Sequence, residues 1–321
     1  MKISWFIPPV IKLPWQKRYN YDKVMASVWI RCFQLIPYLR ELGIESEINT
    51  WNRSTRVAVF LRQWDTGMQQ LALKLKKKGV KIIVDTPVNY FSCQDLAPFK
   101  GKAKQEFDCF VRLADAVFCP SAYIARFGEK KGFQMFYLPD SINFKHFSMK
   151  KEPIVLKTKP VLIWSGVEVK SCALNFLAPA IRKNAWEVVI ISERPPALDF
   201  KYSYVKWSYK AFPDALLKGS IGIFPRRIED EYDKGHSFFK IGVFLAQHIP
   251  VICSKVSSYN DILTDSNSIC PNTLEVKEWE NSIRSLISGE KKICFDDNPV
   301  EQYSTFEVAK KYQQIFNQMV A

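Results

Sequence analysis

Histidine is scarce: the 321 residues hold three, none at ligand spacing from a cysteine, so zinc has no donor set. Eight cysteines are present without one C-x-x-C pair, and most sit in apolar runs. They read as buried free thiols of a reducing compartment. No apolar run approaches the roughly 18 residues of a membrane-spanning helix. The longest, around Val161–Trp164, Val188–Ile191 and Ile249–Cys253, have the length of strands. Acidic residues are also in short supply, 32 against 46 Lys and Arg, for a net charge of +14. Long disorder is excluded by 47% hydrophobic and 24% charged residues, an ordinary globular composition.

The first residues, Met1–Pro9, carry one positive charge and a short apolar run ending in prolines. They read as a first strand rather than a signal peptide. The charge is unevenly spread. Residues 1–155 hold 25 Lys and Arg against 13 Asp and Glu, a net of +12, whereas residues 156–321 carry +2. A basic half can serve nucleic acid, an anionic membrane face or a phosphorylated ligand.

Short β-rich runs alternate with helical patterns. In the first half strands are expected at Lys2–Ile7, Ile44–Ile48, Val57–Leu61, Lys81–Val84, Ala116–Cys119 and Phe136–Leu138. Helices are expected at Met25–Leu42, Gln69–Lys78, Phe107–Leu113 and from a Ser121 cap through Phe127. After a linker-like stretch, Lys150–Pro160, the rhythm restarts. Strands fall at Val161–Ser165, Trp186–Ile191, Tyr204–Trp207, Ile221–Phe224 and Val251–Cys253. The intervening and closing helices are Ala173–Lys183, Pro213–Leu217, Phe238–Gln247, Ser258–Leu263, Lys277–Ser288 and Ser304–Met319. Such alternation in both halves predicts two α/β domains with parallel sheets, whose ligands bind beyond the carboxyl ends of the strands.

The most specific segment runs from Gly222-Ile223-Phe224-Pro225, through Ser237 and Lys240, to Ala246 and Pro250-Val251. It reads as strand, polar loop, helix start, then A-x-x-x-P-V before the next strand. This resembles the donor-domain signature of GT-B glycosyltransferases of the large retaining group 1, or family 4-like, superfamily. Two more segments carry the resemblance. Ala114-Asp115-Ala116-Val117 with Ser121, followed by Pro139-Asp140-Ser141-Ile142 and Phe147, is similar to the passage that ends their N-terminal domain. Trp164-Ser165-Gly166 with Lys170 is similar to the turn that opens their C-terminal domain.

The resemblance implies two Rossmann-like domains facing across a cleft. Residues 1–155 would bind the acceptor and 156–302 the nucleotide-sugar. The last helix, 303–321, would cross back onto the first domain. It implies a metal-independent, hexosyltransferase-like enzyme with no cofactor, the nucleotide-sugar being a substrate. Chemistry supplies the site residues. A diphosphate leaving group needs cations and backbone N–H donors, typically at a helix N-terminus. The donor set is therefore Lys240, as an exposed helix lysine that also serves catalysis, with Ser237, His236, Lys234, Arg226 and Arg227 in the loop before it and Ser192 at a strand end; the resemblance adds Gly166 and Lys170 in the turn after the first strand of the second half. The resemblance makes Asp85 the candidate base or acceptor-orienting carboxylate and sets Ser27 and Arg31 on the acceptor side, which Arg62 and Asn89, after their strands, would also line. Trp207 is a candidate for stacking a nucleobase, although core packing serves it as well.

The chain also departs from the pattern. Gly235 and Val243 occupy positions where members often carry glutamates, His248 replaces a glycine, and Ser141 stands in the D-G-I turn. Asp233 or Glu231 would have to supply the missing carboxylate, and the stereochemical outcome stays unassigned. The expected function is transfer of a sugar to a glycan or lipid-linked acceptor, in bacterial surface polysaccharide synthesis such as capsule or lipopolysaccharide. The basic half would hold the protein peripherally at the inner, cytoplasmic face of a membrane. A noncatalytic partner subunit and a basic nucleic-acid-binding protein are the alternatives; no nucleic-acid module is recognisable.

Overall fold

The computed structural model describes residues 1–8, 21–92, 101–147, 159–295 and 299–321. Its contacts divide the chain into two units. One comprises Met1–Ser141, Lys234–Ser237 and Gln302–Ala321; the other comprises Ile142–Asp233 and Phe238–Glu301. The linker expected at Lys150–Pro160 falls largely outside the described residues.

The first unit holds β1 (Lys2–Phe6), β2 (Glu45–Ile48), β3 (Thr55–Leu61), β4 (Lys81–Asp85), β5 (Ala116–Cys119) and β6 (Met135–Tyr137). All are parallel, in the order β2-β1-β3-β4-β5-β6. The central strand β3 is buried at every position but Arg56, as a sheet covered on both faces requires. The second unit holds β7 (Val161–Ser165), β8 (Glu187–Ser192), β9 (Ser203–Lys206), β10 (Ile221–Phe224), β11 (Val251–Cys253) and β12 (Ser268–Ile269). It is also parallel, in the order β12-β11-β10-β7-β8-β9. Chain direction across the sheet reverses between β7 and β10. That is the strand order of dinucleotide-binding folds, whose crevice opens at the switch point.

The C-terminal helix, Thr305–Val320, belongs to the first unit, and Ser304 caps it by accepting the Glu307 N–H at 3.3 Å. Tyr312 packs on Trp5 and Phe118 with ring centroids 6.1 and 5.6 Å away. Phe316 lies against the same two rings. Each ring so buried contributes about 2–3 kcal/mol of transfer free energy.

Two expected helices are interrupted. The Met25–Leu42 pattern resolves into a short α-turn at Ala26–Val28, a π-turn at Trp29–Phe33, and a helix at Ile36–Glu41. Pro37 lies in the first turn of that helix, where its missing N–H does no harm. The π-turn closes with the Gln34 N–H on the Trp29 C=O at 3.0 Å. Ala173–Lys183 is a 3₁₀ stretch, Glu168–Leu177, followed by a helix at Ala178–Asn184 that restarts at Pro179. The cysteines are less uniform than their apolar surroundings imply: Cys32, Cys119 and Cys253 are buried, but Cys109, Cys172 and Cys294 are exposed.

The π-turn has an electrostatic consequence. Arg31 is 1% exposed and ties strand ends together inside the first unit. Its Nε donates to Asp85 at the end of β4 at 2.7 Å; one terminal nitrogen donates to the Leu138 C=O at 2.9 Å and to Asp140 at 2.6 Å, both just past β6. The next helical turn adds Gln34, whose amide donates to the Ser141 hydroxyl at 2.7 Å and to its C=O at 2.8 Å. Burial pushes the Asp85 carboxyl up to about 6 despite the opposing pull of Arg31. Removing one member of a buried pair costs about 3–5 kcal/mol because the other charge is stranded. Arg31→Met is therefore expected to lower stability by about that amount in denaturant titrations. The sign of the pH effect follows from Asp85. Its folded value of about 6 lies above the ~3.9 of an unfolded Asp, so folding takes up a proton between them. Wild type should gain stability relative to Asp85→Asn as pH falls through that window.

Candidate functional site

The carboxyl ends of β7 and β10 bring four of the expected donor residues to one place in the second unit. Gly166 follows β7. A methyl group on its Cα would come within 2.5 Å of the Trp164 ring and 2.8 Å of Lys240 Nζ. The residue is glycine because ring and amine close over it. Lys240 lies in the first turn of the helix Phe239–Ala246, its amine 5.5 Å from the Trp164 ring centroid. Among the described residues no carboxylate lies within ion-pair distance of it. Burial, then the positive charges of Arg226 and Lys170, hold its pKa well below the usual lysine value; Glu193, just past β8, opposes them. Lys240 is thus a largely buried amine, not the exposed helix lysine that the sequence implied.

Arg226 follows β10 and is anchored on three sides. Its backbone N–H donates to Ser254 Oγ at 2.8 Å, its Nε to the Tyr259 hydroxyl at 3.2 Å, and a terminal nitrogen to Asp233 at 3.3 Å. Lys170, on the 3₁₀ stretch after β7, donates to the Tyr232 hydroxyl at 3.3 Å with its amine 5.1 Å from the Tyr232 ring centroid. Ser165, the last residue of β7, is 2% exposed, and its hydroxyl has no hydrogen-bond partner among the described residues. Three cations and a buried hydroxyl therefore converge at the switch point of this sheet. Such an arrangement favours a polyanion over any neutral or cationic ligand.

The remaining candidates are placed differently. Arg227 is exposed and pairs with Asp230 at 2.9 Å and Asp233 at 3.6 Å. Asp233 is buried between the two arginines and orients them, which corrects its expected role as a stand-in sugar contact. Ser192 is wholly buried and spends its hydroxyl on the Arg194 C=O at 2.7 Å, the geometry of a turn. Lys234, His236 and Ser237 group by contacts with the first unit, although the sequence assigned them to the donor domain. There the Ser121 hydroxyl donates to the Gly235 C=O at 3.1 Å, and a side chain at Gly235 would meet Ile124 at 2.9 Å and Asn89 at 3.2 Å. A glutamate has no room at this position. Val243 is 0% exposed and likewise replaces a carboxylate with core. Trp207 packs against Phe212 at 6.3 Å between ring centroids.

In the first unit Arg62 stands directly after β3, beside the β1–β3 reversal, at a left-handed φ of +57°. Its guanidinium lies 5.8 Å from the Tyr90 ring centroid. The Ser27 hydroxyl is enclosed and has no hydrogen-bond partner among the described residues. Asn89 is 0% exposed. Arg31 and Asp85, expected at the acceptor side and as base, are buried against each other and serve the fold instead. His248, at φ +55°, fills the left-handed position after the helix Phe239–Ala246. The Ile249 N–H returns to the Phe244 C=O at 3.0 Å, and the imidazole stacks on Phe295 with centroids 4.7 Å apart. A left-handed φ favours glycine, and here the stack on Phe295 accompanies a histidine in that conformation.

No protein-family model matches the chain, and no curated protein matches its sequence. Solved structures do. A sucrose-phosphate synthase from Thermosynechococcus elongatus superposes with a TM-score of 0.72 at 10% identity, covering 99% of this chain and 98% of that one. The fold is GT-B. Anabaena HepE in complex with UDP and glucose gives 0.67 at 9% identity, covering 99% of each chain. The catalytic domain of Arabidopsis thaliana starch synthase IV, bound to ADP and acarbose, gives 0.64 at 9%, again over 99% of each chain. Within the GT-B fold, Tyr232, Tyr259, Ser254 and Trp164 are the supporting residues that sequence reasoning did not assign. Only Ser254 and Trp164 carried a signal, from their places at a strand end and beside Gly166.

The repulsion around Lys240 generates a stability effect of definite sign. Its folded pKa lies below the unfolded value of about 10.4, so its charge opposes folding once pH falls below that value. Lys240→Met is expected to stabilise the ligand-free protein at pH 7 by about 0.5–2 kcal/mol. The gain should shrink above pH ~10 in thermal melts, where the unfolded lysine is also neutral.

Proposed function

We propose that the chain is a glycosyltransferase that takes its sugar from a nucleoside diphosphate donor bound in the second unit. The observation that carries this reading is the convergence of Lys240, Arg226 and Lys170 on the switch point between β7 and β10. A diphosphate there meets two amines and a guanidinium. As the bond to the sugar breaks, negative charge grows on the leaving phosphate, and fixed cations in a partly dry site stabilise it more than water does. Lys240 has most to gain: the arriving anion offsets the repulsion that depresses its pKa and so favours its charged form. Arg226, held by Ser254, Tyr259 and Asp233, needs no reordering on binding. The cations take the charge-neutralising role, so the reading needs no metal and no cofactor. Structures of the same fold are in complex with UDP or ADP, which supports a nucleotide as the ligand class.

In this reading the first unit takes the acceptor, with Arg62 at its own strand reversal as the residue nearest such a role. The acceptor is a glycan or a lipid-linked sugar of bacterial surface polysaccharide synthesis. Among the described residues no helix is long and apolar enough to cross a membrane. The helix Thr66–Lys76 and the residues after it instead expose Leu73, Lys74, Lys77 and Lys78, a basic face with one apolar anchor for an anionic leaflet at the cytoplasmic side. Lys76 is spent on Asp115 at 2.9 Å and on the Leu113 C=O.

Calorimetric titration of UDP, ADP, GDP, dTDP and CMP tests the donor site, with Lys240→Ala as control. One nucleoside diphosphate should bind to wild type and be lost in the variant. Binding to none, or equal binding to both proteins, would remove the cradle from the mechanism and favour a noncatalytic subunit. Reversing Lys74, Lys77 and Lys78 to Glu should weaken sedimentation with phosphatidylserine vesicles by up to ~1 kcal/mol per charge. Unchanged sedimentation would mean that this face meets no membrane.

A further inference from the structure

Cys253 and Cys270 stand side by side at the carboxyl ends of β11 and β12. The two strands run parallel with Val251 opposite Ser268 and Ile252 opposite Ile269, so the next pair in register is Cys253 and Cys270. Their sulfurs are 3.8 Å apart. Adjacent residues of paired strands lie within the Cα separations that a disulfide spans, and closure requires the sulfurs to approach to about 2.05 Å. Cys253 is fully buried, whereas Cys270 is partly exposed in the wall of a cavity of about 770 Å³ that also includes Lys255, Ser268 and Lys291. One sulfur is thus accessible to a reagent and the other waits behind it. A hydrogen bond from the Cys253 thiol, another from Ser268 and the charge of Lys255 together pull the Cys270 thiol below its usual pKa. That favours the attacking thiolate on the exposed member.

Cys253 also adjoins the anion site. The next residue, Ser254, accepts the Arg226 backbone N–H at 2.8 Å, and its own N–H donates to the Phe224 C=O at 3.2 Å. A pull on the end of β11 is therefore transmitted to the residue that fixes Arg226.

We propose that Cys253 and Cys270 form a reversible disulfide, and that closing it loosens Arg226 and weakens anion binding at the switch point. The second half rests on the donor-site reading above; the first does not. The chemistry balances by exchange with a small-molecule disulfide. The Cys270 thiolate attacks one sulfur of the oxidant and expels one thiolate, leaving a mixed disulfide on Cys270. The Cys253 sulfur then attacks the Cys270 sulfur, gives its proton to the departing thiolate, and closes the protein disulfide. Two protein thiols are oxidised and one external disulfide is reduced to two thiols.

The test equilibrates the whole protein in oxidised and reduced glutathione at several ratios, then maps non-reduced peptides by mass spectrometry. A peptide linking Cys253 to Cys270 that disappears under reduction is the expected result. Independent alkylation of both thiols, or a stable glutathione adduct on Cys270 alone, would overturn the proposal. The second readout is calorimetric affinity for inorganic pyrophosphate. It should fall about tenfold or more on oxidation of wild type and stay constant in Cys270→Ser. A linked peptide with unchanged pyrophosphate affinity would overturn the coupling and leave the disulfide. A reduced protein that binds no pyrophosphate would overturn both the donor-site reading and the coupling, while the linked peptide would still decide the disulfide.

Discussion

Like charges held close together govern the second unit. Lys240, Arg226 and Lys170 are not scattered surface residues that happen to be basic. The helix start after β10, the loop after β10 and the 3₁₀ stretch after β7 deliver them to the place where the strand order reverses. Gly166 makes the approach possible, because any side chain there would collide with the Trp164 ring or the Lys240 amine. Asp233, Tyr259 and Ser254 supply the hydrogen bonds that keep Arg226 in place. An arrangement that disfavours the charge of its own lysine works against the free fold and toward an anion. The donor site proposed above needs such an arrangement, whereas a structural ion pair does not.

The first unit uses charge in the opposite way. Arg31 meets Asp85 and Asp140 directly, with bonds of 2.7 and 2.6 Å, and almost no solvent reaches them. The pairing spans the ends of β4 and β6 across β5, and Tyr312 from the C-terminal helix adds its ring and hydroxyl to the same enclosure. Here one guanidinium faces two carboxyl groups, and the result is registration of strand ends. Both clusters lie at carboxyl ends of parallel sheets.

Much of the architecture was legible in the sequence because parallel sheets covered on both faces leave continuous apolar runs. Ala116–Cys119, Val161–Ser165, Ile221–Phe224 and Val251–Cys253 are strands with the expected limits. The two-residue β12 was not legible, since Ser268–Ile269 is too short to carry a period. Nor was the break in Met25–Leu42: an apolar period near 3.6 persists through a π-turn, and only the packing of Arg31 reveals it. The gathering of Gly166, Lys170, Arg226 and Lys240 at the switch point was foreshadowed by their places after strand ends and at a helix start. Asp85 and Arg31 were misread because a carboxylate after a strand looks the same in sequence whether it faces a ligand or an arginine 54 residues away. The loop Lys234–Ser237 was misassigned for a related reason. Its neighbours in sequence belong to one unit while its contacts, through Ser121, Ile124 and Asn89, belong to the other.

Diphosphate binding at the switch point depends on the state of one amine. NMR titration of the Lys240 ε-amino group, isotopically labelled and followed against pH with and without a nucleoside diphosphate, reads that state directly. A pKa well below the ordinary lysine value in the free protein, rising when the nucleotide is added, is the result expected of a cradle built for a diphosphate. An ordinary value near 10.4 that does not respond to the nucleotide would contradict it.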